Sequence, residues 1–125
     1  MIDPCVQDLL RQAIDSPTKL HLLLIFHEHA TQEVTPNFMA ERACRDIWSV
    51  SQALNELAQD GILHKEQVAG EAIYYYRPRA EFIDSIHSLI SDYNDPLQRD
   101  KLRRSIRELA EQAPLRRPEP HSYVL

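Results

Sequence analysis

The sequence predicts a mainly α chain with one small β-hairpin, and three observations carry that expectation. Side-chain acceptors, most of them followed by proline, stand immediately before stretches of helical period: Asp3-Pro4, Ser16-Pro17, Thr35-Pro36, Asp46 and Asp95-Pro96. Each acceptor can take a backbone N–H that the first helical turn leaves without a partner, and proline at the first helical position forfeits nothing. Apolar residues then recur at three- and four-residue spacing after each start. Only around Ala69-Gly70-Glu71 does the pattern change, to flanking segments rich in Ile and Tyr that suit a pleated surface.

Taken in order, Val6, Leu9, Leu10, Ala13 and Ile14 form the apolar stripe of a short first helix ending near Asp15. After Ser16-Pro17, one face carries Leu20, Leu23, Leu24 and His27, and Leu22, Ile25 and Phe26 widen it almost to the whole circumference. A helix apolar on nearly all sides belongs at the centre of a fold. Thr31 to Val34 is polar with β-branched residues and reads as a short strand or turn. Phe38, Met39, Ala40 and Ala43 give the next helix its buried side, with Ala40 small where two helices must approach closely. From Asp46, the residues Ile47, Val50, Ala53, Leu54 and Leu57 define an amphipathic helix that Gly61 closes as its left-handed end residue.

The hairpin spans 62–77, and Tyr74, Tyr75 and Tyr76 should alternate between its faces and pack it onto the helices. Phe82, Ile83, Ile86, Leu89, Ile90 and Tyr93 then mark a helix from about Arg79 to Asn94. The last helix follows Asp95-Pro96, with Leu97, Leu102, Ile106, Leu109 and Ala110 inward and Arg99, Lys101, Arg103, Arg104 and Arg107 outward. It should end by Pro114, leaving 114–125 as a loosely ordered tail.

A chain of 125 residues suits one domain, here 1–113, that buries its core without disulfides or metal. Hydrophobic residues at 43% and charged residues at 26% exclude a disordered chain. The net charge of −5 is unevenly spread: residues 80–98 carry four acidic and no basic side chains, residues 99–125 seven basic and four acidic. That balance excludes a generally sticky basic protein and leaves the local field at any contact face to decide binding. The longest apolar run, Leu22 to Phe26, cannot span a bilayer, and Asp3 and Asp8 occupy the place of a basic leader, so a cytoplasmic protein is expected. Cys5 and Cys44 then read as two free thiols.

Two short helices, a tight turn and a following hairpin make a winged helix-turn-helix with additional N- and C-terminal helices. The segment Leu57-Ala58-Gln59-Asp60-Gly61-Ile62-Leu63, preceded by Ser49-Val50-Ser51-Gln52-Ala53-Leu54, resembles the L-x-x-x-G-I/L-L signature of bacterial winged-helix regulators of the MarR and ArsR kind. The resemblance covers 16–79, and 80–113 would supply dimerisation helices. It implies a transcriptional regulator that binds double-stranded DNA as a homodimer, with recognition helix 46–60 in the major groove and hairpin 62–77 as wing.

Candidate contacts follow from groove chemistry. Gln52 and Asn55 can pair bidentately with adenine, Ser49 and Ser51 can hold a phosphate or base edge, and Trp48 can meet a thymine methyl or a sugar. Arg42, Arg45, Lys65 and Arg77, with Arg79 nearby, supply positive charge. Each has a plainer alternative. The polar residues can simply be solvated, Trp48 can seal a gap to the preceding helix or a partner subunit, and Arg42 and Arg45 can pair with Glu41 or Asp46. The stretch 46–60 holds three acidic residues and neither Lys nor Arg, and the hairpin tip lacks arginine, which points to a competing class: a winged helix used for protein–protein contact.

Catalysis has no positive sign. His27-Glu28-His29 lacks the second histidine of H-E-x-x-H because position 31 is Thr. His21, His27, His29 and His64 with Cys5 or Cys44 form no recognisable ligand motif, so core or surface histidines are expected rather than a metal site. Gly61 and Gly70 are the only glycines, too few for a phosphate-cradling loop, and no cofactor is expected.

Overall fold

A computed structural model of the chain describes residues 3–29 and 33–116. Among them are six helices and one antiparallel hairpin: α1 (Pro4–Gln12), α2 (Pro17–Glu28), α3 (Pro36–Ala43), α4 (Ile47–Gln59), β1 (Leu63–Val68), β2 (Glu71–Tyr76), α5 (Ala80–Asn94) and α6 (Pro96–Arg116).

The expected helix starts are all used. Asp3 accepts the Cys5 N–H at 2.8 Å, Ser16 that of Lys19 at 3.2 Å, and Thr35 that of Phe38 at 3.2 Å. Asp46 accepts from Ser49 at 2.8 Å and Asp95 from Leu97 at 3.0 Å. Only α5 begins without a side-chain cap. Two ends differ from expectation. The first helix stops at Gln12, before Ala13 and Ile14, although both stay buried and the Ile14 N–H still reaches the Leu9 carbonyl at 3.1 Å. The last helix runs through Pro114 to Arg116, so the expected end by Pro114 and the tail from 114 begin too early. In a final turn the carbonyls already lack partners on one side, and proline there removes a single donor rather than breaking a helix in two. The rest of the expected tail, 117–125, lies outside the described residues.

The strands pair in the register Leu63↔Tyr76 through Val68↔Glu71, joined by a two-residue turn. Ala69 and Gly70 have φ values of 53° and 81°, the pair of left-handed residues a type I′ turn requires. On the other edge of β2, Val34 exchanges two backbone hydrogen bonds with Tyr74, at 3.0 and 2.8 Å. The strand expected before α3 is thus a single bridge at Val34; residues 30–32 are not described.

One continuous core joins the elements. Leu22, Leu23 and Phe26 of α2 are fully buried, as its nearly uninterrupted apolar surface requires. That helix packs on α4 and α6, while α1 lies against α5 and α6, α3 against α4, and α4 against β1. The three tyrosines alternate as expected: Tyr74 is buried, Tyr76 stacks on Phe26 with centroids 6.2 Å apart, and Tyr75 turns to His64 at 6.1 Å. Gly61 has φ 92°, so the end of α4 needs glycine for conformation; the Arg79 side chain that lies across it is exposed and could move aside. No helix among the described residues is long and apolar enough to cross a membrane.

Candidate nucleic-acid interface

The surface built by α3, the following turn and the start of α4 gathers most of the residues singled out from the sequence. Helix α3 ends at Cys44 in a left-handed conformation, φ 54°, and the Arg45 N–H closes the turn on the Ala40 carbonyl at 3.1 Å. Asp46 then restarts the chain as α4. Its bond from the Ser49 amide holds the Asp46 carboxyl below the usual carboxylate range. Val50, Ala53, Leu54 and Leu57 anchor α4 to the core, which fixes what faces outward.

Trp48, Ser49 and Gln52 are exposed, and Trp48, at 82%, is the most exposed large apolar side chain among the described residues. Of the two packing alternatives for Trp48, a seal to the preceding helix does not fit this exposure, and a seal to a partner subunit would still leave the side chain exposed in one copy. Ser51 is half-buried. Asn55 is half-buried too, and its amide oxygen accepts from the Tyr74 hydroxyl at 2.6 Å and from Lys65 Nζ at 2.9 Å. Asn55 and Lys65 are thus brought together, but as a clasp between α4 and the hairpin. Burial of the Tyr74 phenol pushes its pKa up, so it donates to Asn55 as a neutral hydroxyl.

The arginines of the turn reach across to α2. An Arg42 guanidinium nitrogen lies 2.9 Å from His29 Nε2. Arg45 donates to His21 Nδ1 at 3.3 Å and to Thr18 Oγ1 at 3.2 Å. These contacts stand in place of the plainer alternative, pairing with Glu41 or Asp46, and none of them is with a carboxylate. Burial and then the Arg45 charge lower the His21 pKa, which keeps that imidazole an acceptor. Arg77 lies over the Tyr75 ring at 5.5 Å, and its N–H bonds to Ile62, which places it at the base of the hairpin, far along the strand from the tip. Arg79 lies across Gly61 and 3.8 Å from Glu81.

One cluster escaped the sequence reading. Lys19, only 4% exposed, sits with its Nζ 2.6 Å from Asp15 and 2.5 Å from Glu56, linking the start of α2 to the middle of α4. The other Glu56 oxygen accepts from Gln52 Nε2 at 3.1 Å. Asp46 therefore serves as a cap that keeps its charge, and Glu56 pairs with a buried ammonium that it shares with Asp15. A signal existed: a lysine in the first turn of an almost wholly apolar helix, four residues after an aspartate.

Compared with models of known protein families, with curated proteins and with solved structures, the chain has no match. Among the described residues, no three His, Cys, Asp or Glu side chains lie close enough together to hold a metal ion.

Proposed function

We propose that the chain is a winged helix-turn-helix regulator that binds double-stranded DNA as a homodimer, with α3 and α4 as the helix-turn-helix and β1–β2 as the wing. One observation carries the reading: Trp48, Ser49 and Gln52 stand exposed along the start of α4, and Arg42 and Arg45, at the end of α3 and in the turn just before α4, contact His29, His21 and Thr18 rather than a carboxylate. A groove-reading helix needs polar and apolar groups for base edges and flanking cations for phosphate, in that arrangement. The pairing of Glu56 with Lys19 supports the same reading in part, because it offsets some of the repulsion that Glu56 would exert on the phosphate backbone, although the ammonium is shared with Asp15. Exposed Ile83 and Leu97 on α5 and α6 support a second copy seated on the terminal helices.

In this reading Gln52 is the candidate base reader, Arg42 and Arg45 are phosphate contacts, and Asn55 with Lys65 positions the wing. Titrating salt against binding to random genomic fragments tests it. Affinity should fall with a log-log slope of about −0.9 per phosphate neutralised. Gln52→Ala should relax sequence preference, whereas Arg42→Ala should weaken binding to all sequences alike. Absence of binding at low salt would overturn the reading.

A second reading, a winged helix that docks a protein, is favoured by Trp48 alone, since an aromatic exposed to 82% is a common anchor at protein interfaces. Trp48→Ala separates the two: loss of a protein partner with DNA binding intact would support docking.

A further inference from the structure

A cavity of about 360 Å³ opens between α2 and α6, with Arg45 of the α3–α4 turn and Tyr93 of α5 also lining it. Its size falls at the lower end of small-molecule sites. Pro17, Leu20, Leu24 and Ile106 give it an apolar wall, and Arg45, Arg103 and Arg107 line it as well, the first two with their guanidinium groups on the lining residues His21 and Tyr93. No carboxylate is among the lining residues. Two of the arginines are held by neutral groups: Arg45 by His21 and Thr18, and Arg103 by the Tyr93 hydroxyl at 3.3 Å with its guanidinium 5.6 Å over that ring. They are oriented without being neutralised. Cations gathered in a small cleft with low-dielectric walls repel one another and focus a positive field that an anion would relieve.

We propose that this cleft binds a small organic phosphomonoester, with its phosphate on Arg45, Arg103 and Arg107 and its apolar body against Leu20, Leu24 and Ile106. A phosphomonoester fits better than a carboxylate on two counts. It brings up to two negative charges to three cations, and its three terminal oxygens can accept from more than one guanidinium, where a carboxylate offers two. The apolar wall requires an organic body rather than inorganic phosphate, whose free oxygens would find no donors there. The site shares Arg45 with the proposed DNA contacts, but its other walls come from α2, Tyr93 of α5 and α6, so Arg103 and Arg107 test it apart from DNA binding.

Phenyl phosphate is a suitable probe, compared by calorimetry with benzoate, which shares the ring but carries one charge, and with inorganic phosphate, which lacks the ring. Phenyl phosphate should bind about tenfold more tightly than either, the difference expected from one charge-assisted hydrogen bond or one buried apolar face. Arg103→Gln and Arg107→Gln should each weaken it by about tenfold as well. Both side chains are exposed, so circular dichroism should show the parent fold in each variant. Arg11→Gln, on α1 and outside the cavity, should leave binding unchanged. Equal affinity for benzoate, no binding of phenyl phosphate at millimolar concentration, or indifference to both substitutions would each overturn the proposal.

Discussion

Removing the buried ammonium of Lys19 is the most direct test of how α4 is held. In Lys19→Met the side-chain volume is nearly kept, but Asp15 and Glu56 lose the cation that lay 2.6 and 2.5 Å away. Asp15 is almost fully buried, whereas the Glu56 side chain retains 17% exposure and some access to water. Breaking a buried pair by deleting one partner costs about 3–5 kcal/mol, most of it the penalty of a stranded charge. Water at Glu56 places the expected loss near the lower end. With a urea dependence of roughly 2 kcal/mol per molar for a domain of this size, the midpoint should fall by about 1.5 M. Urea titration followed by circular dichroism reads that shift. Neutralising all three groups together, with Asp15→Asn, Lys19→Met and Glu56→Gln, should recover most of the loss, because no charge is left buried. A midpoint for Lys19→Met within error of the parent would refute the reasoning, and so would a triple variant less stable than the single one.

Three further outcomes follow from particular contacts. Asn55→Ala strands the buried Tyr74 hydroxyl and should cost about 1–3 kcal/mol in thermal or urea unfolding, with Tyr74→Phe in the same background returning part of it. Ala69→Gly relieves a non-glycine residue at φ 53° and should raise stability by about 1 kcal/mol, read as a higher melting temperature. The lowered His21 pKa means that the unfolded chain takes up a proton before the folded one as pH falls below the ordinary value of 6.5. Stability should therefore decline on acidification through that window, and His21→Gln should flatten this part of the profile in urea midpoints measured from pH 7.5 to 5.

The features legible in the sequence are those set by neighbours within a few residues. Ser16, Thr35 and Asp46 cap the helices they precede because capping is a three-residue transaction, and Gly61 ends α4 because only local backbone conformation is at stake. The alternation of Tyr74 to Tyr76 follows from strand pleating alone. Illegible were the contacts between elements. Asn55 sits at the edge of the α4 stripe, and whether it faces solvent or the hairpin depends on where Tyr74, nineteen positions later, is brought. Arg42 and Arg45 find their partners at the end of α2 and on it, more than ten residues earlier, whereas the alternative of pairing with adjacent acids looked only to their immediate neighbours. Arg103 and Arg107 are exposed, as their helical face required, but only the packing of α2 beside α6 turns that face into one side of a cleft.

The Val34–Tyr74 bridge has a consequence for the order in which the chain opens. It fastens the residue just before α3 to the middle of β2, so α3, α4 and β1 all lie within one closed loop of about forty residues, whose closure entropy is regained only on release. Tyr74 also grips Asn55 inside that loop. Amide hydrogens of α3, α4 and the hairpin should then exchange with solvent at a common rate, as one cooperative unit that opens separately from α5 and α6.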